Sequence, residues 1–222
     1  MKYTLHTAKR ADWEIDKKPK NIWQKIASRS HGALTPANIA SFIGGVLAIY
    51  GLWVILDGDT VRGLVFLTIG RIADVADGVI AEYTRTKSPL GEMIDAAIDK
   101  LVVAAALIVL GALELVPWII IAIISLQNIT NVIISVIAKL RRKLLHPSRV
   151  GKVSAAFSWV TIILYPLGDW LQKDISTAGG EFLKLLALAS FAVYMVLGLQ
   201  ASLGYADIIY KKARKSSYRL FR

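Results

Sequence analysis

The 222-residue chain has no cysteine. Disulfides, thiolate zinc sites and a cysteine nucleophile are thereby excluded, and the redox compartment is left unread. Histidine is scarce. His6, His31 and His146 stand far apart and form no pair with the spacing of a metal site or a catalytic triad. No serine or threonine sits in a nucleophile context, so covalent catalysis is not indicated. Acids are outnumbered, 16 against 27 Lys and Arg, for a net charge of +11. Roughly the first 30 residues are charged and lack the apolar core of a cleavable signal peptide.

Apolar residues are abundant: 55% of the chain, with a mean hydropathy of +0.52, above the range of ordinary soluble domains. They fall in six runs, at about 36–56, 61–81, 93–115, 117–138, 153–171 and 182–210. Each is near the ~20 residues that cross ~30 Å of hydrocarbon. The prediction is an all-α, polytopic membrane protein with six transmembrane helices. Segment 1–35 precedes the membrane domain at 36–210, and 211–222 is a basic tail. No internal repeat stands out, and Gly179-Gly180 reads as an outer loop.

Charge sets the orientation. Of the 27 Lys and Arg, 22 lie in 1–35, 82–92, 139–152 and 211–222. The positive-inside rule then puts both termini in the cytoplasm. The basic charge sits at the ends of apolar runs, which matches an anionic membrane surface rather than nucleic acid. Within 11–31, Ile15, Ile22 and Ile26 share a helical face, with Trp13 and Trp23 as interfacial anchors. This predicts a juxtamembrane amphipathic helix on the inner surface, starting near Pro19 or Lys20.

Four aspartates interrupt the apolar sequence. Asp74 and Asp77 are i and i+3 in the second run; Asp95 and Asp99 are i and i+4 in the third. Each pair shares one helix face. The connection from Glu82 to Glu92 is short enough to make the two helices antiparallel neighbours, so all four carboxylates meet near the cytoplasmic end. Carboxylates this close must bind protons or be neutralised by cations. An oxygen-only set without histidine suits a hard ion such as Mg²⁺, Mn²⁺ or Ca²⁺. The plainer reading is ion pairing with Arg71 and Lys100.

The same run resembles the signature of the CDP-alcohol phosphotransferase family. That pattern is Asp, two residues, Asp-Gly, two residues, Ala-Arg, eight residues, Gly, three residues, Asp, three residues, Asp. Here it reads Asp74, Asp77-Gly78, Ala81-Glu82, Gly91, Asp95, Asp99, with every interval matched. The resemblance implies transfer of a phosphatidyl group from CDP-diacylglycerol to a small polar alcohol, with CMP leaving. It implies two Mg²⁺ or Mn²⁺ ions on Asp74, Asp77 and Asp95, and Asp99 as general base and further ligand. Gly78 and Ala81 would line the cytidine pocket, with Asp74 and Gly91 also on the CDP-lipid. Thr35-Pro36-Ala37-Asn38 resembles a family feature in which the Asn approaches the nucleotide. Glu82 stands where the family has an Arg that holds the donor's phosphates, so Arg85 or Lys87 is expected to supply that charge. A homodimer is expected on the same ground.

Arg149 and Lys152 flank Gly151 at the start of the fifth run, where backbone N–H groups also favour anions. Members that accept glycerol 3-phosphate or inositol phosphate carry a similar Gly-Lys, so these two residues are expected to bind an acceptor phosphate. Asn128 and Asn131 are expected to hydrogen-bond between helices. The expected activity is phosphatidylglycerophosphate synthesis, with phosphatidylinositol phosphate synthesis as nearest alternative. Rivals of another class are a divalent-cation transporter and a non-catalytic lipid-binding relative.

Overall fold

A computed structural model describes residues 21–30, 32–140 and 148–217. It contains seven helices and, among the described residues, no strand: α1 (Ile22–Arg29), α2 (Pro36–Leu56), α3 (Thr60–Thr84), α4 (Pro89–Ala112), α5 (Trp118–Leu140), α6 (Arg149–Asp174) and α7 (Thr177–Ser217). The chain divides into two compact units, one ending at Val109 and one starting at Leu110.

Local chemistry sets the helix starts. Asn21 caps α1 by accepting from the Gln24 N–H at 2.8 Å. Thr35 accepts from Asn38 N–H at 3.1 Å ahead of Pro36, whose missing N–H costs nothing in a first turn. Asp59 caps α3 through the Arg62 N–H at 3.0 Å. Ser148 caps α6 through the Gly151 N–H at 3.0 Å. The helix start predicted near Pro19 or Lys20 is not where α1 begins: α1 starts at Ile22, where Asn21 supplies the cap. It runs for eight residues. The part of that expectation before Asn21 lies outside the described residues.

In the first unit α2 and α3 pack with their backbones close together. A Cβ added at Gly44 would lie 2.8 Å from the Gly70 carbonyl oxygen, and one at Gly51 would lie 2.6 Å from that of Gly63. Gly44 and Gly51 are seven residues apart, as are Gly63 and Gly70, so the small residues form rungs at every second turn. The next position of this stripe on α3 is Asp77, and it faces the start of α2.

The second unit uses the same device. Ser154 donates to the Tyr194 carbonyl at 3.2 Å and Thr161 to the Ala187 carbonyl at 3.4 Å. A Cβ at Gly168 would lie 2.9 Å from the Gly180 carbonyl oxygen. Again the rungs are seven residues apart on each helix. Gly179 and Gly180 are therefore not an outer loop: they belong to the first turn of α7, where the small residue lets α6 approach. Asn131 accepts from Ser202 of α7 at 3.1 Å, an interhelical bond as expected. Asn128 instead donates to Ile124 within α5 at 2.9 Å.

Four helices, α2, α5, α6 and α7, are long and apolar enough to cross a membrane. In α3 and α4 the charged residues, including Arg71, Asp74, Asp77, Asp95 and Asp99, interrupt the apolar run. Both nonetheless turn apolar stripes outward. Val65, Ile69, Ile72, Val75 and Val79 are exposed on α3, and Met93, Leu101 and Ile108 on α4. Such surface has no favourable contact with water.

Gly70→Val is expected to destabilise the protein by about 1–3 kcal/mol, because neither backbone can move aside. Gly78 has open space where a Cβ would stand, so Gly78→Ala is expected to leave stability unchanged or raise it by up to about 1 kcal/mol. Thermal unfolding of the two variants in one detergent checks both.

Candidate metal centre

Asp74 and Asp77 on α3 and Asp95 on α4 bring one carboxylate oxygen each to within 4.8 Å of one another. Asp77 is the most buried, at 7% exposure. Its rung position explains that depth. On α2, Ser41 donates through Oγ to Asp77 Oδ2, and this hydroxyl also lies 3.0 Å from the Ala37 carbonyl. Ser41 thus fixes the rotamer of Asp77. Sequence reasoning missed it, although a Ser three residues after Asn38 in a largely apolar helix is a visible signal.

Asp95 Oδ1 is buried and has no hydrogen-bond partner among the described residues. An unsatisfied buried carboxylate oxygen is costly. Beside two further carboxylates it suits a hard divalent cation with oxygen ligands, so the residues fit the metal expected from the sequence.

Asp99 lies on the same side of α4, one turn beyond Asp95, and is more open, with a side chain 37% exposed. It reaches the cluster through Arg71. The Nη1 of Arg71 donates to Asp99 Oδ1 at 2.7 Å and also to Asp74 Oδ2. The predicted ion pair with Arg71 therefore exists, alongside the three-carboxylate cluster.

The other predicted residues of this unit separate into two groups. Gly78 is exposed, and Ala81 is half-buried near the end of α3. Neither carries more than a methyl group, and a Cβ at Gly78 would stand in open space. Asn38 and Gly91 are buried in a clasp. Asn38 Nδ2 donates to the carbonyls of Gly32 at 3.1 Å and Ala33 at 2.8 Å, and Ser88 Oγ donates to the same Gly32 carbonyl at 3.1 Å. A Cβ at Gly91 would stand 2.9 Å from Asn38 Oδ1. Gly91 is small because the amide of Asn38 occupies that space.

At the end of α3, Lys87 pairs with Glu82 at 2.6 Å. Arg85 is exposed and adopts the left-handed conformation, φ 55 and ψ 46. The Thr86 N–H bonds the Ala81 carbonyl at 3.1 Å and the Arg85 N–H bonds that of Glu82 at 3.2 Å. This is a Schellman stop with arginine where glycine is usual.

Arg149 and Lys152 belong to the second unit, both exposed in the first turn of α6. The Ser148 N–H donates to the Tyr205 hydroxyl at 2.5 Å, which anchors that turn to α7.

The family model for CDP-alcohol phosphatidyltransferases matches residues 34–201. The chain belongs to this family. CDP-alcohol phosphatidyltransferases are membrane enzymes of phospholipid synthesis that transfer phosphatidyl groups and use divalent metals. Relatives named putative cardiolipin synthase, from Mycobacterium bovis and two strains of Mycobacterium tuberculosis, are 34% identical over 86 residues. That stretch is 38% of this chain and 41% of each relative, so the match spans about two-fifths of the relatives' length. No solved structure matches the chain.

For this CDP-alcohol phosphatidyltransferase, Asp77→Asn and Asp95→Asn are each expected to weaken Mn²⁺ binding by about tenfold or more, since each removes one negative charge from the cluster. Loss of Mn²⁺-dependent thermal stabilisation is the readout. Unchanged stabilisation in both variants would remove the cluster as the ion's site.

Proposed function

We propose that this protein transfers the phosphatidyl group of CDP-diacylglycerol to glycerol 3-phosphate, yielding phosphatidylglycerophosphate and CMP. The observation that carries the reading is the meeting of Asp74, Asp77 and Asp95 around an unpartnered carboxylate oxygen, within the signature of this family. Asp74, Asp77 and Asp95 would hold two Mg²⁺ or Mn²⁺ ions, which would supply charge neutralisation at the phosphates.

The chain's own residues supply the rest. Asp99, the more open carboxylate, takes the proton from the acceptor's hydroxyl. The hydroxyl oxygen bonds to the phosphorus that carries the diacylglycerol. The bond from that phosphorus to the oxygen of CMP breaks, and CMP leaves. Gly78 and Ala81 leave room for the cytidine, and Asn38 and Gly91 hold the helix starts beside it. Arg85 holds the donor's phosphates in place of the family Arg at position 82. Its left-handed backbone supports this role: arginine is strained where glycine would serve the turn, and strain of this kind gathers at functional positions. Arg149 and Lys152 bind the acceptor's phosphate.

The outward apolar stripes of α3 and α4 support six transmembrane helices, the charged faces of these two being turned inward. The Lys and Arg distribution supports a cytoplasmic membrane location, with both termini and the carboxylates on the cytoplasmic side and α1 on the inner surface. The protein acts as a homodimer. The name of the relatives favours a second reading, cardiolipin synthesis.

The test is CMP release by purified protein with CDP-diacylglycerol and Mg²⁺ or Mn²⁺. Glycerol 3-phosphate, inositol phosphate and phosphatidylglycerol are offered singly. Release is expected with glycerol 3-phosphate and is expected to fall about 10²–10⁴-fold in Asp99→Asn. Release only with another acceptor replaces the assignment, and none with any acceptor favours a non-catalytic lipid-binding relative. Arg85→Gly is expected to raise stability by about 1 kcal/mol through relief of the left-handed strain. In the same variant KM for CDP-diacylglycerol rises. An unchanged KM would remove Arg85 from the donor site.

A further inference from the structure

Arg71 is a cation already inside the acidic site. It lies one turn before Asp74 on α3, with its side chain 20% exposed. A single nitrogen, Nη1, contacts Asp74 Oδ2 on its own helix and Asp99 Oδ1 on α4 at 2.7 Å. Asp74 therefore takes part in two arrangements. It belongs to the carboxylate triad that fits a divalent ion, and it is held by a guanidinium that also holds Asp99.

We infer that Arg71 and a divalent ion compete for Asp74, so that binding of the ion displaces Arg71 and releases Asp99. This inference rests on the reading of the triad as a cation site. An ion on Asp74, Asp77 and Asp95 places two positive charges within a few ångström of the guanidinium, and like charges at that range in a half-buried site repel strongly. The Arg71 bridge and the ion thus oppose each other through Asp74. The bridge joins α3 to α4 and offsets part of the repulsion among the carboxylates. With the ion bound, that repulsion is already neutralised, and the guanidinium is the surplus charge. Its departure uncovers Asp99 Oδ1, the oxygen it had engaged. The carboxylate that accepts the acceptor's proton therefore becomes free only when the site is loaded. A CDP-lipid reaching an unloaded site meets a base that is occupied.

Two measurements on the full chain in detergent test this. In the unaltered protein, Arg71 is reacted with phenylglyoxal at increasing Mn²⁺ and its modification is read by peptide mass spectrometry. Arg62 is the internal control, being exposed and paired with Asp59 at 3.4 Å, away from the cluster. Modification of Arg71 is expected to rise several-fold as Mn²⁺ saturates, with Arg62 unchanged. In parallel, free Mn²⁺ is followed by its electron paramagnetic resonance signal for the parent, Arg71→Gln and Arg71→Lys. Loss of the competing charge is expected to tighten binding about tenfold in Arg71→Gln, with Arg71→Lys nearer the parent. Flat or falling modification of Arg71, or a folded Arg71→Gln that binds Mn²⁺ no more tightly than the parent, overturns the inference. Should Arg71→Gln not fold, the modification experiment decides alone. A parent that binds no Mn²⁺ sinks the cation-site reading and this inference together, whereas a parent that binds with Arg71 unresponsive sinks this inference only.

Discussion

Everything in the first unit follows from mutual repulsion among carboxylates that an apolar pair of helices has brought together. Asp74, Asp77 and Asp95 converge to within 4.8 Å, and Asp99 is tied in through Arg71. In a setting where water is scarce, such a group has no stable state of its own and must be answered by positive charge. The protein answers in two ways. Arg71 is supplied by the chain, and the buried Oδ1 of Asp95, beside two further carboxylates, fits a divalent cation. Helix spacing, the hydroxyl of Ser41 and the glycines along α2 and α3 all serve to hold this unfavourable grouping in place.

Backbone proximity at the glycine rungs, together with the buried Leu52, Ile55, Leu64 and Leu67, provides the support. Gly44 against Gly70 and Gly51 against Gly63 bring main chain against main chain at these rungs. Asp77 occupies the next place in that stripe, so its position is inherited from main-chain geometry. The clasp of Gly32, Asn38, Ser88 and Gly91 secures the start of α4 in the same manner, by hydrogen bonds to main-chain carbonyls.

The acidic pairs were legible in the sequence because i,i+3 and i,i+4 spacing in an apolar run has few explanations. So were the boundaries of α2 and the existence of the other long helices. The start of α1, the helical state of Gly179 and Gly180, and the role of Ser41 were not. Each depends on a partner distant in sequence or on a cap one residue long, and periodicity carries neither. Asn38 shows the limit most clearly. The resemblance of Thr35-Pro36-Ala37-Asn38 to a family feature implied an approach to the nucleotide, and periodicity gave no sign that the Asn38 Nδ2 donates to the carbonyls of Gly32 and Ala33. Likewise the charges that mark α3 and α4 as functional also keep them from reading as plain membrane helices.

The seven-residue rungs also bear on the order in which the molecule is made. Both rung sets join helices adjacent in the chain, α2 with α3 and α6 with α7, across turns of a few residues. Contacts so local form early and with little loop entropy. Once α3 has left the ribosome, α2 and α3 already hold everything needed to seat Asp77 against Ser41. The Ser41–Asp77 contact then needs nothing from Asp95 or Asp99, which are synthesised later, and α4 brings its carboxylates to a position already set.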